Sequence, residues 1–129
     1  MAGFSIQIFT PDLRGTFAYY ERAFGAKNVG EGYGGAGELI HLDMDIRGSH
    51  MALAPHAPNE ITKGNVTVIC LGFDGDEASL RTAFDVLSED GQTDGLHSYP
   101  WNALEGYVTD KYGVVWCLGL KSLNSGLLT

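Results

Sequence analysis

The 129-residue chain has no long apolar run and few basic residues. No hydrophobic stretch approaches the ~20 residues that a transmembrane helix needs. Eight Lys and Arg residues stand against sixteen Asp and Glu, which gives a formal net charge of −8, whereas nucleic-acid binding depends on clustered Lys and Arg. We therefore expect neither a membrane nor a nucleic acid as a partner.

The sequence also lacks a secretory signal and has few cysteines. Residues 1–7 carry neither the basic stretch nor the apolar core of a signal peptide, so we expect a cytoplasmic protein. Cys70 and Cys117 lie in apolar strand-like runs, with no Cys-x-x-Cys and no close Cys/His spacing, which argues against a zinc site. We expect both thiols to be buried and reduced; a redox pair is the alternative.

The second half of the chain repeats the first. A helix-like set of residues recurs 67 positions later, and a turn-like set recurs 65 positions later. A period this long indicates a duplicated small domain, because solenoid repeats run to ~20–50 residues. The helix-like set is Leu13, Phe17 and Tyr20, matched by Leu80, Phe84 and Leu87; the turn-like set is Asp45, Gly48 and Leu53, matched by Asp110, Gly113 and Leu118.

Each copy is predicted to fold as strand–helix–strand–strand–strand. In the first copy, residues 4–10 form a strand, and Asp12 caps a helix that ends at Gly25. The glycine-rich segment 28–37 predicts a weak strand and a mobile loop that carries Tyr33, either as a lid residue or as an ordinary loop aromatic. The buried stripe of the helix is predicted to be Leu13, Phe17, Tyr20 and Phe24.

Residues 38–46 alternate between apolar and polar side chains, the period of a strand with one polar face. Arg47 and Gly48 then predict a two-residue hairpin loop, with a return strand over 49–54. The second copy follows the same order, with strands over 66–73, 105–110 and 114–120 and a helix that ends near Gly91. In the 38–46 strand, Ile40, Leu42, Met44 and Ile46 share the apolar face, and His41, Asp43 and Asp45 share the polar face.

Two segments of the chain resemble known family motifs. FAYYERAFG at residues 17–25 resembles a helix end of the vicinal oxygen chelate (VOC) superfamily, the glyoxalase and bleomycin-resistance fold. YVTDKYGVVW at residues 107–116 is similar to the ending of its PhnB-like branch, and so is His41 between Ile40 and Leu42. Together with the duplication, these motifs cover nearly the whole chain.

The resemblance implies an α+β fold in which two repeated βαβββ modules curl into a half-open barrel with a cavity inside. We expect one VOC domain over residues 1–129, with modules at 4–56 and 65–120 and a tail at 121–129. The resemblance also implies a homodimer.

Metal-dependent members of the superfamily bind a divalent ion through one side chain on each of four strands, and those positions fall at Ser5, Ala52, Val68 and Cys117. Since alanine and valine cannot ligate, we expect no metal and no other cofactor.

A second metal arrangement, two histidines and one carboxylate, is suggested by His41, Asp43 and His50. With the loop at 47–48, Asp45 pairs with His50, Asp43 with Ala52, and His41 with Ala54. His41 and His50 would then lie roughly 13 Å apart along the strands, too far for one ion. By the repeat, Val108 is expected to pair with Cys117. Trp116, which has the opposite parity from Cys117, is then expected in the core. Whether Tyr107 lines a pocket or packs in the core stays undecided.

Several polar residues are candidates for a site, each with a structural alternative. Asp45 and His50 form either a carboxylate-oriented general base or a surface pair at the hairpin tip. His41 and Asp43 either line a ligand pocket or have a structural role. We see no Ser/His/Asp order typical of a serine hydrolase. The catalytic candidates are His41, Asp43, Asp45 and His50, and the ligand-binding candidates are Ser5, Gln7, His41, Asp43, Trp101 and Cys117.

The sequence therefore predicts a protein that binds a small organic molecule in its cavity without a metal. The net negative charge favours a cationic ligand. The alternative is an enzyme acting on a small molecule, with lyase, isomerase or oxygenase chemistry of the VOC type. Such an enzyme would use His41/Asp43 or Asp45/His50 for proton transfer, or a metal at non-standard positions.

Overall fold

The computed structural model describes residues 5–55, 67–100 and 103–121. The chain divides into two compact units, Met1–Thr62 and Lys63–Thr129. The first unit contains β1 (Ile6–Phe9), α1 (Leu13–Phe24), β2 (Lys27–Tyr33), β3 (Leu39–Ile46) and β4 (Ser49–Ala54). The second contains β5 (Ile69–Gly72), α2 (Glu77–Ser88), β6 (Gln92–Thr93), β7 (Glu105–Thr109) and β8 (Val115–Gly119).

Each unit forms one four-stranded sheet of the same topology. The strand orders are β1-β4-β3-β2 and β5-β8-β7-β6, and in each sheet the first pair is parallel and the other two are antiparallel. The predicted α+β class with two repeated βαβββ modules is therefore confirmed. Neither helix in the described part of the chain is long and apolar enough to cross a membrane.

Both helices begin at an aspartate cap. Asp12 accepts a hydrogen bond from the Gly15 N–H at 2.9 Å, and Asp76 accepts one from the Ser79 N–H at 3.1 Å, so each satisfies a donor that the first helical turn leaves unpaired. Gly25 ends α1 in the left-handed region, at φ 69°, where glycine carries no steric penalty.

The buried stripe of α1 differs in part from the predicted one. Phe17 is only half-buried, because the stripe runs through Thr16 and Ala23 and leaves Phe17 at its margin. Tyr19 is buried as well. In α2 the predicted Leu80, Phe84 and Leu87 are all buried, so the same spacing argument succeeds there.

The alternation in β3 separates two faces of the first sheet. Leu42, Met44 and Ile46 are no more than 2% exposed, and α1 packs against β3. Ile40 has the same parity, as predicted, but is 42% exposed near the start of the strand, so this face is not buried along its whole length. We call the opposite face, which carries the polar residues of β3, the open face.

A tight turn fixes the β3–β4 register. Arg47 and Gly48 both have positive φ, 49° and 92°, as a type I′ hairpin turn requires. Asp45 consequently pairs with His50 and Asp43 with Ala52, which confirms the register predicted for this hairpin.

The corresponding hairpin of the second unit is one residue longer. Thr109 pairs with Val115, and Tyr107, rather than Val108, pairs with Cys117. The predicted register was wrong because the repeat did not reveal the extra loop residue. Tyr107 therefore shares a sheet face with Cys117.

Tyr33 is the last residue of β2 and not part of a mobile loop. Its hydroxyl donates to the Glu31 carboxylate. Arg14 of α1 contacts the same carboxylate at 2.5 and 3.0 Å, and this guanidinium, with Tyr33 and Asn28, lowers the pKa of Glu31 to about 2. Of the two alternatives for Tyr33, a lid residue and an ordinary aromatic, its place in a strand and its bond to Glu31 favour the second.

The PhnB-like motif has a structural explanation in Asp110. This residue is 3% exposed, and its Oδ1 accepts hydrogen bonds from the backbone N–H groups of Tyr112 and Val114 at 2.9 and 3.0 Å. Its Oδ2 accepts one from the buried indole Nε1 of Trp116 at 2.9 Å. One carboxylate thus joins the turn of the hairpin to the core.

We predict that Asp110→Ala lowers the free energy of unfolding by about 3 kcal/mol, because it leaves the buried Trp116 N–H without its acceptor. The matched control is Asp45→Ala, because Asp45 is the aspartate three residues before the turn glycine of the first hairpin, as Asp110 is in the second. Within the described residues Asp45 accepts one hydrogen bond, from the Gly48 N–H at 3.3 Å, so its loss costs less than about 1 kcal/mol. Urea unfolding of both variants measures the difference, and equal losses would contradict the role assigned to Asp110.

Candidate functional site

Strand pairing gathers polar residues on the open face of the first unit. β1 runs parallel to β4 with Ile6 opposite Met51, which places Ser5 beside His50. The β3–β4 register places Asp45 opposite His50 and Asp43 opposite Ala52. Side chains of one parity on three adjacent strands therefore meet on this face.

Four of these side chains form one hydrogen-bonded group, which we call the Asp43 cluster: Ser5, His41, Asp43 and His50. His41 Nε2 and His50 Nε2 each lie 3.0 Å from the same Asp43 oxygen, Oδ1. The Ser5 hydroxyl contacts His50 Nδ1. The cluster thus connects the N-terminal end of β1 to the middle of β3.

The chemistry of the partners assigns the protons in this cluster. An ionised carboxylate only accepts hydrogen bonds, so both histidines donate to Asp43 through Nε2–H. In a neutral His50 ring, Nδ1 then carries the lone pair, and the Ser5 hydroxyl donates to it. His50 is therefore held as the Nε2–H tautomer, with its basic nitrogen directed at Ser5.

The expected separation of His41 and His50 was wrong at the level of the side chains. Both rings reach one oxygen atom at 3.0 Å, because long side chains lean along their strands and span diagonal positions. Asp45 and His50 are paired in the backbone, as predicted. Their side chains are not paired, since the Asp45 carboxylate accepts a hydrogen bond from the backbone N–H of Gly48 in the turn.

Two glycines of β2 leave room beside the cluster. Gly30 pairs with Asp43 and Gly32 with His41. A Cβ atom on Gly30 would lie 3.2 Å from Asp43 Oδ2, and one on Gly32 would lie 3.2 Å from the His41 Cβ, both tighter than ordinary van der Waals contact. The glycine-rich segment therefore keeps β2 free of side chains next to the cluster, a role that sequence reasoning missed.

The cluster is accessible. The His41, Asp43 and His50 side chains are 40%, 30% and 47% exposed, and Ser5 and Gln7 on the same face are exposed as well. Exposed pairs of this kind contribute at most about 1 kcal/mol to stability. The polar atoms are thus available to a bound molecule at little cost to the fold.

The equivalent face of the second unit has different chemistry. The repeat places Val68 and Val115 where the first unit has Ser5 and His50. Cys117 is buried, and its Sγ lies 3.7 Å from Oε1 of Glu105, a residue that is 3% exposed. Within the described residues Glu105 Oε2 has no hydrogen-bond partner; this buried carboxylate was not among the predicted site residues.

Cys70 pairs with Cys117 on adjacent parallel strands. Contrary to expectation, Cys70 is exposed, so only Cys117 behaves as a buried thiol. Burial raises the pKa of Cys117 to about 12, with a smaller contribution from the charge of Glu105. Partial burial also raises the pKa of Cys70.

The metal positions implied by the family resemblance do not fit an ion. Of the four, Ala52 and Val68 have no donor atom. Within residues 5–55, 67–100 and 103–121, no group of three or more His, Cys, Asp and Glu side chains is arranged to hold one.

Trp101, a predicted ligand-binding residue, lies outside the described residues. An open cavity of about 320 Å³ lies along β6 and β7 of the second unit, and none of its residues was predicted as a site. It is lined by Gln92, Thr93, Asp94, Tyr107, Val108 and Thr109.

We predict that a disulfide reagent such as DTNB modifies Cys70 at least about tenfold faster than Cys117 at mildly alkaline pH, because the thiolate is the reactive form and Cys117 is both buried and protonated. Cys70→Ala removes the fast phase, and Cys117→Ala retains it. Equal rates in the two single-cysteine variants would contradict the burial of Cys117.

The sequence matches one family model, that of the Glyoxalase/Bleomycin resistance protein/Dioxygenase superfamily, over residues 4–118. No curated protein matches the sequence. The superfamily match covers most of the chain, and it includes the whole β1–β4 region that carries the Asp43 cluster.

Solved structures of several bacterial proteins share the fold. The PhnB protein of Bacillus cereus is 22% identical with a TM-score of 0.72, covering 90% of this chain and 95% of its own. A Pseudomonas aeruginosa protein is 19% identical with a TM-score of 0.74, and the match covers 95% of this chain and 99% of the Pseudomonas protein. The fosfomycin resistance protein FosX of Listeria monocytogenes, solved as a mutant with manganese(II) and a dihydroxypropylphosphonic acid, is 15% identical with a TM-score of 0.71, covering 98% of each chain.

Proposed function

We propose that this chain, which belongs to the glyoxalase/bleomycin resistance protein/dioxygenase superfamily, binds a small organic molecule without a metal ion, through the open face of its first unit. The observation that carries this proposal is the Asp43 cluster, an accessible hydrogen-bonded group on a face otherwise shaped by small residues. We also infer a homodimer, as the family resemblance implies.

The cluster offers a ligand both donors and acceptors. With Nε2–H of His41 bound to Asp43, its Nδ1 lone pair is available as an acceptor. Gln7 adds a carboxamide, which donates and accepts, on the same face of β1. Ligand sites typically combine apolar walls with a few placed polar groups, and Ala52, Gly30 and Gly32 supply small neighbours here.

The charge of the chain favours cationic ligands. The formal net charge is −8, and a field of one sign raises the local concentration of oppositely charged molecules. A cationic compound and its neutral analogue that bind equally well would remove this part of the proposal.

An enzyme is the second candidate, favoured by the contact between His50 and Asp43. A carboxylate that fixes the tautomer of an imidazole is a recurring arrangement for a general base. The geometry selects Asp43 over Asp45 as the partner of His50, because Asp45 is engaged by the turn. Proton abstraction from a bound small molecule is the reaction class that this pair supports.

We predict that protein purified without a histidine tag contains no stoichiometric metal, because the family positions lack donors. Elemental analysis of wild type, His41→Ala and His50→Ala should give the same near-zero content. An ion present at about one per chain and lost in either variant would mean that the two histidines bind it, and would overturn metal-independent binding.

We predict that Asp43→Asn weakens ligand binding at least about tenfold, or ~1.4 kcal/mol, because it replaces the charged carboxylate that orients both histidines with a neutral amide, whose oxygen is a weaker acceptor. Compounds of either charge that raise the melting temperature of wild type are titrated by calorimetry. Asp85→Asn, which removes one negative charge from an exposed position of α2, is the matched control and should bind as wild type does. Equal losses in both variants would assign the effect to net charge and not to the cluster.

A further inference from the structure

We infer that Ser5 is a nucleophile, and that Ser5, His50 and Asp43 form a serine–histidine–aspartate triad that hydrolyses small carboxylic esters. This activity goes beyond ligand binding and beyond proton abstraction by His50. It rests on the contacts of these three side chains and does not require the proposed ligand.

The three groups meet the geometric requirement for an activated nucleophile. That requirement is a hydroxyl within hydrogen-bond reach of a base, with the base oriented by a third group. The Ser5 hydroxyl contacts His50 Nδ1, and His50 Nε2 lies 3.0 Å from Asp43 Oδ1. The ring presents one nitrogen to the hydroxyl and gives the other N–H to the carboxylate, as the mechanism needs.

The backbone holds this arrangement in place. The parallel pairing of β1 with β4, in which Ile6 lies opposite Met51, places Ser5 beside His50. The Ser5 hydroxyl also lies 3.4 Å from the His50 carbonyl oxygen. His41 donates a second hydrogen bond to Asp43 Oδ1, which fixes the orientation of the carboxylate. We place His41 as a positioning residue that acts through Asp43.

The first half-reaction forms an acyl-enzyme. Ser5 Oγ attacks the carbonyl carbon of the ester as its proton passes to His50 Nδ1, and the carbonyl π electrons move to oxygen. Collapse of this intermediate breaks the carbon–oxygen bond to the leaving group, which takes the proton from His50 and departs as an alcohol. Asp43 stabilises the transient imidazolium through the Nε2–H bond.

The second half-reaction consumes water. His50 Nδ1 accepts a proton from water as the hydroxide adds to the acyl carbon, and collapse returns the proton to Ser5 Oγ. The products are a carboxylic acid and an alcohol, with the enzyme unchanged. We assign Gln7 as the donor to the oxyanion: it lies two residues from Ser5 on the same face, and its side chain makes no hydrogen bond within the described residues.

The second unit provides no duplicate of this site. The positions equivalent to Ser5 and His50 hold Val68 and Val115, which carry neither a nucleophile nor a base. One reactive serine per chain is therefore expected.

The test is reaction of the full-length protein with a fluorophosphonate probe, followed by intact mass and peptide mapping. We expect one adduct per chain, on Ser5, and none in Ser5→Ala. Ser49→Ala is the matched control, because Ser49 is exposed next to His50 and outside the triad; it should react as wild type does. His50→Gln and Asp43→Asn should slow labelling at least about a hundredfold, the scale of a lost general base.

Hydrolysis of p-nitrophenyl acetate gives a second readout. An initial burst of nitrophenol close to one equivalent per chain is expected for wild type and absent from Ser5→Ala, and Gln7→Leu should lower kcat more than it raises KM. Wild type that forms no adduct, an adduct mapped elsewhere, or labelling unchanged in His50→Gln would overturn the triad. Ligand binding that persists in that case would leave the proposed function standing.

Discussion

The register of the β3–β4 hairpin is the constraint on which the candidate site depends. Two residues with positive φ, Arg47 and Gly48, make the turn, and the pairing that follows brings His50 diagonally next to Asp43. A slip of one residue would move every side chain of a strand to the opposite face. The polar residues of β3 would then face α1, and Leu42, Met44 and Ile46 would lose their burial. The packing of the core and the assembly of the cluster are thus specified by the same turn.

The two units use one scaffold for different purposes. In the second unit the aspartate before the hairpin turn, Asp110, is buried and binds both the turn and Trp116, so its carboxylate serves the fold. In the first unit the aspartate before the turn, Asp45, accepts one long hydrogen bond from the turn within the described residues, and the turn itself is a two-residue turn with positive φ at Arg47 and Gly48. The first unit can therefore carry its charges on an accessible face, where they cost little stability and remain free for a ligand or a substrate.

Much of the fold was predictable because the signals are local. The alternation in β3, the Arg47–Gly48 turn and the Asp12 cap each follow from short-range sterics and hydrogen bonding, and each was found in the structure. The second hairpin was placed one residue out of register, because the repeat in Asp110 and Gly113 does not show how many residues the loop holds. The exposure of Cys70 was also missed, since an apolar run does not say which of its residues lies on the open face.

The site was predictable as a list of residues but not as a geometry. His41, Asp43, His50 and Ser5 were all singled out by strand parity or by family position. The hydrogen bonds between these side chains were not predicted, because the Cα spacing along paired strands does not give the direction of a side chain. For the same reason the predicted distance between His41 and His50 was too long for their side chains. The relation of Ser5 to His50 needed the parallel β1–β4 pairing, which joins residues 45 positions apart in the sequence.

The Asp43 cluster is tested most directly by NMR of the histidine ring nitrogens, by long-range proton–nitrogen correlation at mildly alkaline pH, where an ordinary imidazole is neutral. The cluster predicts that His50 is held as the Nε2–H tautomer, with Nδ1 accepting from Ser5, and that Asp43→Asn shifts the Nε2 signals of both His41 and His50. A His50 ring in the Nδ1–H tautomer, or one whose signals ignore the change at Asp43, would contradict the cluster and with it the site proposed on this face.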